Sequence, residues 1–296
     1  MGSNPIAGSL LIARISKDNP SRAEGLLEYR LLGRTNERVP VLGMGTWRIG
    51  STRAPAERTA QTEALKRGLE LGMAFIDTAE FYGDGESERL VGEVIKGNRD
   101  SVFVATKVWP SNLHHDDVLL ACDRSLKRLG VSYIDLYQIH WPNPRIPIRE
   151  TMSAMQELVA AGKVRHVGVS NFSVDETRKA QEALGRIELA SNQVEYSLTN
   201  RSIESGLLQF CQKERITVIA YSPLGQGVLP IDIVPESLLT KYRMTLAQLA
   251  LNWVTFREGV VAIPKAAKKE HMEENAESLS RRLSTPDYEL IARQPH

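Results

Sequence analysis

The sequence predicts a single (β/α)₈ barrel, the TIM-barrel class, preceded by a short N-terminal β-hairpin. The chain has 296 residues, enough for one large α/β domain, and no compositional linker divides it. Short apolar segments alternate with helical patterns, and eight such segments can be counted. An open doubly wound sheet would need a nucleotide-binding turn. The segment Gly43–Arg48 does not provide one, because Arg48 replaces the third glycine.

Composition and charge exclude several classes of protein. Hydrophobic residues make up 42% and charged residues 25% of the chain, as in globular domains. A net charge of +1 provides no field for nucleic acid or an anionic membrane. Cys122 and Cys211 form no C-x-x-C motif, and every apolar run is too short to span a bilayer. We therefore expect a cytoplasmic protein, either a monomer or a weak homo-oligomer.

The first structured element is expected at residue 28. Residues 1–27 have no clean periodicity and are interpreted as an N-terminal extension, with disorder left open, and residues 28–296 as the barrel. The apolar stretches 29–32 and 39–42 flank the polar segment 33–36, which predicts a hairpin.

The barrel strands and helices follow in alternation. Strands are predicted at Val41–Met44, Ala74–Asp77, Val102–Lys107, Ile134–His140, Val164–Ser170, Ser191–Glu195, Thr217–Tyr221 and Val260–Pro264. Helices are predicted at Ala56–Leu71, Val118–Leu129, Met152–Ala161, Val174–Leu184, Ile203–Glu214, Leu246–Phe256 and near Glu270–Ser278. Pro55 precedes the first helix, and Gly72, Gly130 and Gly162 follow helices, as capping preferences require. Only a short tail is expected after Ser278.

Polar side chains end three successive predicted strands. These are Asp77, Lys107 and His140, and Tyr82 follows Asp77 in a glycine-containing loop. Because active sites of such barrels lie at the carboxyl ends of the strands, we expect these four side chains to meet at one rim. Asp77 and Lys107 alone would be read as a structural ion pair. All four together predict a proton-transfer site.

The expected chemistry is acid catalysis by Tyr82. A tyrosine has an ordinary pKa of about 10, and a neighbouring Lys107 ammonium would lower it. Asp77 would keep Lys107 charged, and His140 would orient a substrate oxygen. A general acid contributes roughly 10²–10⁴ in rate, so another group must supply the nucleophile.

The same segments closely resemble the aldo-keto reductases, and most of all the compact prokaryotic members. The matching segments are Asp77–Tyr82, Ala105–Trp109, Asp135–Pro142 and Gly168–Phe172, supported by Gly43–Trp47, Asn192–Tyr196, Ala220–Leu224 and Ile263–Lys265. The resemblance extends from about Tyr29 to Tyr288 with the motifs in the family's order.

This resemblance implies reduction of aldehydes or ketones by hydride transfer from a nicotinamide cofactor, without a metal. It assigns Tyr82 as proton donor, and Asp77, Lys107 and His140 as the other catalytic residues. At the nicotinamide end of the cofactor, the carboxamide would be held by Ser170, Asn171 and Gln193, and the ring would stack on Tyr221. The pyrophosphate would be bound by Ser222, Leu224 and Gly225. At the adenosine end, Lys265 would face the 2′-phosphate, and the adenine would lie near His271, Glu274 and Asn275. Trp47, Trp109 and Trp141 each follow the end of a predicted strand, so we interpret them as lining the substrate pocket in preference to being core aromatics.

The phosphate end departs from the family pattern. Many members have serine or threonine where this chain has Ala266, and arginine where it has His271. We therefore expect NADPH to be preferred and NADH to be an alternative cofactor. Short loops at 142–149 and 226–236 imply an open site for small aldehydes, including 2-oxoaldehydes.

Two other functions stay open from the sequence. Lys107 could act as the Schiff-base nucleophile of a lyase, although an Asp77 partner would oppose this. The same fold could also serve as a non-catalytic nucleotide sensor, as in the potassium-channel β subunits. The run His114–Asp117 suggests a metal site, but it is better interpreted as the acidic start of a helix.

Overall fold

The N-terminal hairpin is present as predicted. The computed structural model describes residues 27–294. Strands β1 (Tyr29–Leu31) and β2 (Arg38–Pro40) are antiparallel, with Tyr29 opposite Pro40. The proposed extension at residues 1–27 lies outside the described residues except for Leu27, which is buried, and it stays a prediction.

Eight parallel strands follow and form one sheet in chain order. They are β3 (Met44–Gly45), β4 (Phe75–Asp77), β5 (Phe103–Val108), β6 (Ile134–Ile139), β7 (Val164–Ser170), β8 (Leu189–Glu195), β9 (Thr217–Tyr221) and β10 (Val260–Ala262). The sheet closes because the segment around β3 bonds to the last strand. Gly43 N donates to Ala262 O at 2.8 Å, and Gly45 N donates to Pro264 O at 3.1 Å. The predicted barrel class is confirmed.

The helices of the described chain lie between and after the strands. They are α1 (Pro55–Glu70), α2 (Glu86–Ile95), α3 (His115–Leu129), α4 (Ile148–Ala160), α5 (Val174–Leu184), α6 (Leu207–Glu214), α7 (Glu236–Tyr242), α8 (Leu246–Val254), α9 (Lys269–Glu277) and α10 (Thr285–Ala292). None of these helices within residues 27–294 is long and apolar enough to cross a bilayer. Asp116 and Asp117 lie in the first turn of α3, as predicted, and residues 27–294 contain no cluster of metal-ligating side chains.

Helices α2, α7 and α10 were not predicted, and the helix predicted at 203–214 was too long at its start. Gly206, with φ 160° and ψ −44°, separates α6 from a 3₁₀ turn at Ser202–Ser205. The expectation of only a short tail after Ser278 was wrong, because α10 buries Tyr288 and Ile291. Its buried side chains are too few to give a clear helical period, so tertiary contacts with the barrel stabilise it.

The hairpin fills the amino-terminal end of the barrel. Leu32 and Val39 belong to one buried cluster with Ile263, which follows β10, and with the strand residues Phe75, Ala105, Leu136, Ala190, Ile219 and Val261. Gly33 N also donates to Thr217 Oγ1, at the start of β9, at 2.7 Å. With this end sealed by apolar side chains, the opposite end, where the strands finish, is left for polar chemistry.

A buried carboxylate joins three strands near their starts. Asp135 accepts hydrogen bonds from Arg99 at 2.6 Å, from Arg165 at 3.1 Å and from Val104 N at 2.9 Å. The Tyr133 ring lies 4.0 Å from each of the two guanidinium groups. Asp135 therefore serves as a shared counter-charge for the two guanidinium groups, and its bond to Val104 N anchors β5 beside β6 and β7.

We expect Asp135→Asn to lower the free energy of unfolding by about 3 kcal/mol, because removing one partner leaves a largely buried guanidinium without a counter-charge. Urea denaturation measures this loss. Asp175→Asn is the matched control, because Asp175 is exposed and pairs with Lys179 within one helix. That variant should change stability by at most about 0.5 kcal/mol. Equal stability of the two variants would contradict the role assigned to Asp135.

Candidate active site

Lys107 is fully buried at the carboxyl end of β5, and each of its three ammonium protons has an acceptor. Nζ donates to Asp77 Oδ2 at 2.6 Å, to the Thr78 carbonyl at 2.9 Å and to Tyr82 Oη at 3.2 Å. An ammonium group donates only, so Tyr82 Oη is the acceptor in this pair. The phenolic proton of Tyr82 is therefore free to donate to another atom.

Asp77 is held from both sides of its carboxylate. Oδ2 faces Lys107, while Oδ1 accepts from Gln193 Nε2 at 2.7 Å and from Gln138 Nε2 at 3.4 Å. Gln138 Oε1 in turn accepts from Ser191 Oγ at 3.3 Å. All of these groups are buried, so the charge of Asp77 is balanced by Lys107 and solvated by two side-chain amides.

The electrostatics preserve the charged form of Lys107. Burial lowers the pKa of Lys107, but Asp77 and Tyr82 outweigh this effect, and the net pKa is raised. Asp77 thus keeps the ammonium charged, as the sequence predicts. An ammonium nitrogen has no lone pair with which to attack a carbonyl, so the charged state of Lys107 opposes the Schiff-base alternative.

The pKa of Tyr82 moves in the opposite direction from the sequence-based expectation. Burial raises the pKa above its ordinary value of 10.0, and Lys107 offsets only part of that rise. The sequence placed the two groups together but could not show that Tyr82 is almost entirely excluded from water. Tyr82 is therefore a protonated phenol at neutral pH, with a cation beside it to stabilise the phenolate.

His140 lies directly after β6 and is mostly buried. Its backbone N donates to Val108 O at 3.0 Å, and its ring is perpendicular to that of Tyr82 with centroids 5.6 Å apart. Burial, helped by the charge of Lys107, lowers the pKa of His140 to about 3. Nδ1 has no hydrogen-bond partner among residues 27–294. His140 is therefore a neutral imidazole whose Nδ1 is available for a further hydrogen bond.

Exposed aromatic rings surround Tyr82 and His140. Trp47 is 48% exposed and meets the edge of Tyr82 at 4.9 Å, and the Trp109 ring is perpendicular to His140 at 5.0 Å. Phe81, which is 43% exposed, stacks on Trp109 at 3.9 Å. Trp141 is 45% exposed and belongs to none of these ring pairs. Two of the three predicted pocket tryptophans therefore lie against Tyr82 or His140.

Three of the residues predicted to contact the carboxamide and the nicotinamide ring form one group beside His140. Asn171 Nδ2 donates to His140 O at 3.1 Å and to Ser170 Oγ at 3.0 Å. Burial raises the pKa of Tyr221 to about 12, and its hydroxyl donates to Asn171 Oδ1 at 2.9 Å. Asn171 has φ 63°, a backbone conformation that asparagine tolerates better than most residues. These bonds fix the half-buried Tyr221 ring beside the end of β9.

The turn after β9 has an unusual backbone. Ser222, Gly225, Gln226 and Gly227 all have positive φ angles. Gly225 N donates to Ser222 O at 2.9 Å, and Gly227 N donates to Leu224 O at 2.9 Å. These two amides, expected from the sequence to face a pyrophosphate, are hydrogen-bonded within the turn in this structure.

The residues expected at the adenosine end follow β10. Lys265 is exposed and forms no ion pair with another residue of the range 27–294. His271 is exposed on α9, whereas Asn275 is buried. Glu274 accepts from Thr245 Oγ1 at 2.7 Å, which ties its side chain to the start of α8. Lys268 is likewise exposed and without an ion pair among the described residues, so Lys265 and Lys268 are both available cations at this end.

Sequence reasoning did not identify Phe81 or Gln138. Gln138 is a buried amide in the carboxyl-terminal half of β6 and lies in register with Lys107, so its polarity was the available signal. Phe81 precedes Tyr82, but its stacking on Trp109 depends on two loops meeting in space.

Comparison with known proteins identifies the family. The model named "Aldo/keto reductase family" matches residues 41–294. The methylglyoxal reductase YeaE of Escherichia coli K12 is 39% identical over 259 residues, which span 86% of this chain and 90% of that protein.

Solved structures give the same result. A thermostable aldo-keto reductase in complex with the inhibitor epalrestat is 41% identical, with a TM-score of 0.85 over 89% of this chain and 98% of that one. An aldo/keto reductase from Klebsiella pneumoniae, in complex with NADP and acetate, is 39% identical, with a TM-score of 0.81 over 89% of this chain and 94% of that one.

The low pKa of His140 predicts that its ring does not titrate between pH 5 and 8. Because its pKa falls from 6.5 to about 3 on folding, the stability it contributes is complete above pH 6.5 and is lost as the pH falls toward 3. Histidine NMR of the folded protein measures the titration directly. His115, whose pKa is raised mainly by Asp116, is the internal control and should titrate. A His140 signal that titrates near pH 6.5 would refute the assignment.

Proposed function

This chain belongs to the aldo/keto reductase family and is an oxidoreductase of carbonyl compounds, and from this premise we propose that it reduces aldehydes and ketones with NADPH, using Tyr82 as proton donor. The observation that carries the proposal is the buried contact of Lys107 Nζ with Asp77 and Tyr82, next to the neutral ring of His140. The exposed rings of Trp47 and Phe81 border this site.

Tyr82 donates its proton to the carbonyl oxygen as negative charge develops there. Its raised pKa means that the phenol is fully protonated before the reaction. The Lys107 ammonium, which already donates to Oη, stabilises the phenolate that remains. Asp77 neutralises Lys107 before the reaction, so the site holds no unpaired buried charge. The ion pair instead acts as a fixed dipole whose positive end faces Tyr82 Oη, where negative charge develops.

His140 orients the carbonyl oxygen. As a neutral imidazole, His140 can donate from one ring nitrogen without adding a second cation beside Lys107. Burial and the charge of Lys107 both lower the pKa of His140 and so keep its ring neutral. A hydrogen bond from His140 and one from Tyr82 would fix the oxygen from two directions. Such orientation is a large source of rate when both reactants are held in near-attack geometry.

The residues around Asn171 fit a nicotinamide cofactor. The Tyr221 ring is half-buried and fixed through its hydroxyl, so it offers a flat surface for stacking. Gln193 uses its Nε2 on Asp77, and its Oε1 has no hydrogen bond from residues 27–294, so this oxygen is suited to accept from an amide. NADPH, when bound, supplies the hydride. The Klebsiella pneumoniae relative in complex with NADP supports this choice of cofactor.

Small 2-oxoaldehydes are the substrate class we favour. The relative from Escherichia coli is named a methylglyoxal reductase, and it matches 86% of this chain. The site also meets solvent through partly exposed Trp47 and Phe81, which leaves it open to small carbonyl compounds.

Tyr82→Phe should lower kcat for reduction of methylglyoxal by roughly 10²–10⁴, because it removes the proton donor while preserving the ring. Binding of NADPH, measured by its fluorescence, should remain near the wild-type level. Tyr29→Phe, in the hairpin, is the matched control and should retain full activity. Turnover by wild type that survives in Tyr82→Phe would reject Tyr82 as the donor. Cofactor binding without turnover by the wild type would instead favour the nucleotide-sensor function.

Lys265→Met should raise KM for NADPH by about tenfold or more, because hydrogen bonds between charged groups contribute about 1.5–3 kcal/mol. KM for NADH should change little, since NADH has no 2′-phosphate. Steady-state kinetics with both cofactors test this, and Lys213→Met on α6 is the control. An equal effect on both cofactors would show that Lys265 does not face the 2′-phosphate.

A further inference from the structure

We propose that Arg128, together with Glu80 and Glu88, positions Tyr82 relative to Lys107 from outside the barrel. We call these three side chains the Arg128 network. The inference rests on the proposed function of Tyr82 as proton donor. Arg128 lies near the end of α3 and is remote in sequence from both catalytic residues that it would position.

One side of the Arg128 network is attached to β5. Glu88 is fully buried on α2; its Oε2 accepts from Arg128 Nε at 2.5 Å and its Oε1 from Thr106 Oγ1 at 2.6 Å. Thr106 directly precedes Lys107, and successive side chains of a strand point to opposite faces. Glu88 thus binds the outer face of β5 at the residue next to the catalytic lysine.

The other side is attached to the loop that carries Tyr82. Glu80, two residues before Tyr82, accepts from Trp109 N at 2.7 Å and from Asn112 Nδ2 at 2.9 Å. Its second oxygen lies 3.9 Å from an Arg128 guanidinium nitrogen. Glu80 therefore connects the Tyr82 loop to the segment that follows Lys107.

Arg128 also lies directly against the turn after Tyr82. A Cβ atom added to Gly85 would come within 2.4 Å of Arg128 Cδ, and Gly85 has φ +87°. The guanidinium group thus lies between two carboxylates that belong to the two ends of the segment containing Tyr82. Both carboxylates are at least nine-tenths buried, so solvent screens these pairs weakly.

The catalytic contact is sensitive to such positioning. Lys107 Nζ and Tyr82 Oη are 3.2 Å apart. A separation increased by about 1 Å would weaken the attraction between the ammonium and the phenolate enough to raise the pKa of Tyr82 by roughly one unit. If the Arg128 network only stabilised the fold, its disruption would lower the melting temperature and leave the pKa of Tyr82 unchanged.

The test uses Glu80→Gln and Arg128→Lys, with Tyr82→Phe to assign the Tyr82 signal. Glu80→Gln retains an acceptor for Trp109 N but loses the charge that faces Arg128, and Arg128→Lys retains the cation but loses the planar fork. We expect kcat to fall about tenfold in each variant, with NADPH affinity unchanged. NMR titration of ¹³C-labelled tyrosine in the free protein should show Tyr82 ionising at a pH higher by roughly one unit.

Glu86→Gln is the matched control. Glu86 lies on the same helix as Glu88, but its side chain is 47% exposed, and within residues 27–294 its one ion pair is with Arg89 at 3.0 Å. This variant should match wild type in kcat and in the tyrosine titration. If Glu80→Gln and Arg128→Lys both fail to fold, Asn112→Ala, at a half-buried position, removes one donor to Glu80 and is measured in the same way.

Unchanged kcat and unchanged Tyr82 ionisation in the folded variants would overturn the inference, whatever happens to the melting temperature. Failure of the proposed function gives a different result. In that case the wild-type protein reduces no aldehyde, while the tyrosine titration of the free protein still reports whether the Arg128 network positions Tyr82.

Discussion

The buried ion pair between Lys107 and Asp77 is the interaction on which the site depends. Two charges removed from water are costly unless hydrogen bonds satisfy the remaining donors and acceptors. Here the Thr78 carbonyl and Tyr82 Oη accept the other two ammonium protons, and Gln193 and Gln138 donate to the second carboxylate oxygen. Tyr82 Oη thus helps to solvate the buried Lys107 ammonium. Because this oxygen accepts from Lys107, the phenolic proton of Tyr82 must point toward another acceptor.

The barrel supplies the geometry of this pair. Neighbouring parallel strands bring Asp77 opposite Ala105 and Lys107 opposite Gln138, so their side chains converge at one rim. The hairpin seals the other end with Leu32 and Val39. The Asp135 charge cluster therefore lies near the strand starts, and the groups proposed to be catalytic lie at the strand ends.

Charge and burial set the two ionisation states that the proposed chemistry needs. Tyr82 is kept protonated by burial, and His140 is kept neutral by burial and by the nearby ammonium. A single cation, Lys107, therefore faces the reaction centre. A second positive charge on His140 would compete with Lys107 and would be costly in the same buried space.

The sequence by itself determined the barrel and its hairpin, and it placed Asp77, Lys107 and His140 at the ends of successive strands, because strand alternation and strand-end polarity are local patterns. Helices α2, α7 and α10 were not predicted from the sequence. In α2 the buried residues Leu90, Val91, Val94 and Ile95 follow a helical period that was missed, whereas the shorter α7 and α10 bury too few side chains to show one. The direction predicted for the pKa of Tyr82 was also wrong, since burial is a property of the folded chain. Only the tertiary structure decided that Gln193, 116 residues away in sequence, donates to Asp77, and that Arg128 lies against the Tyr82 loop. Such contacts depend on how distant segments approach in space, which no local pattern records.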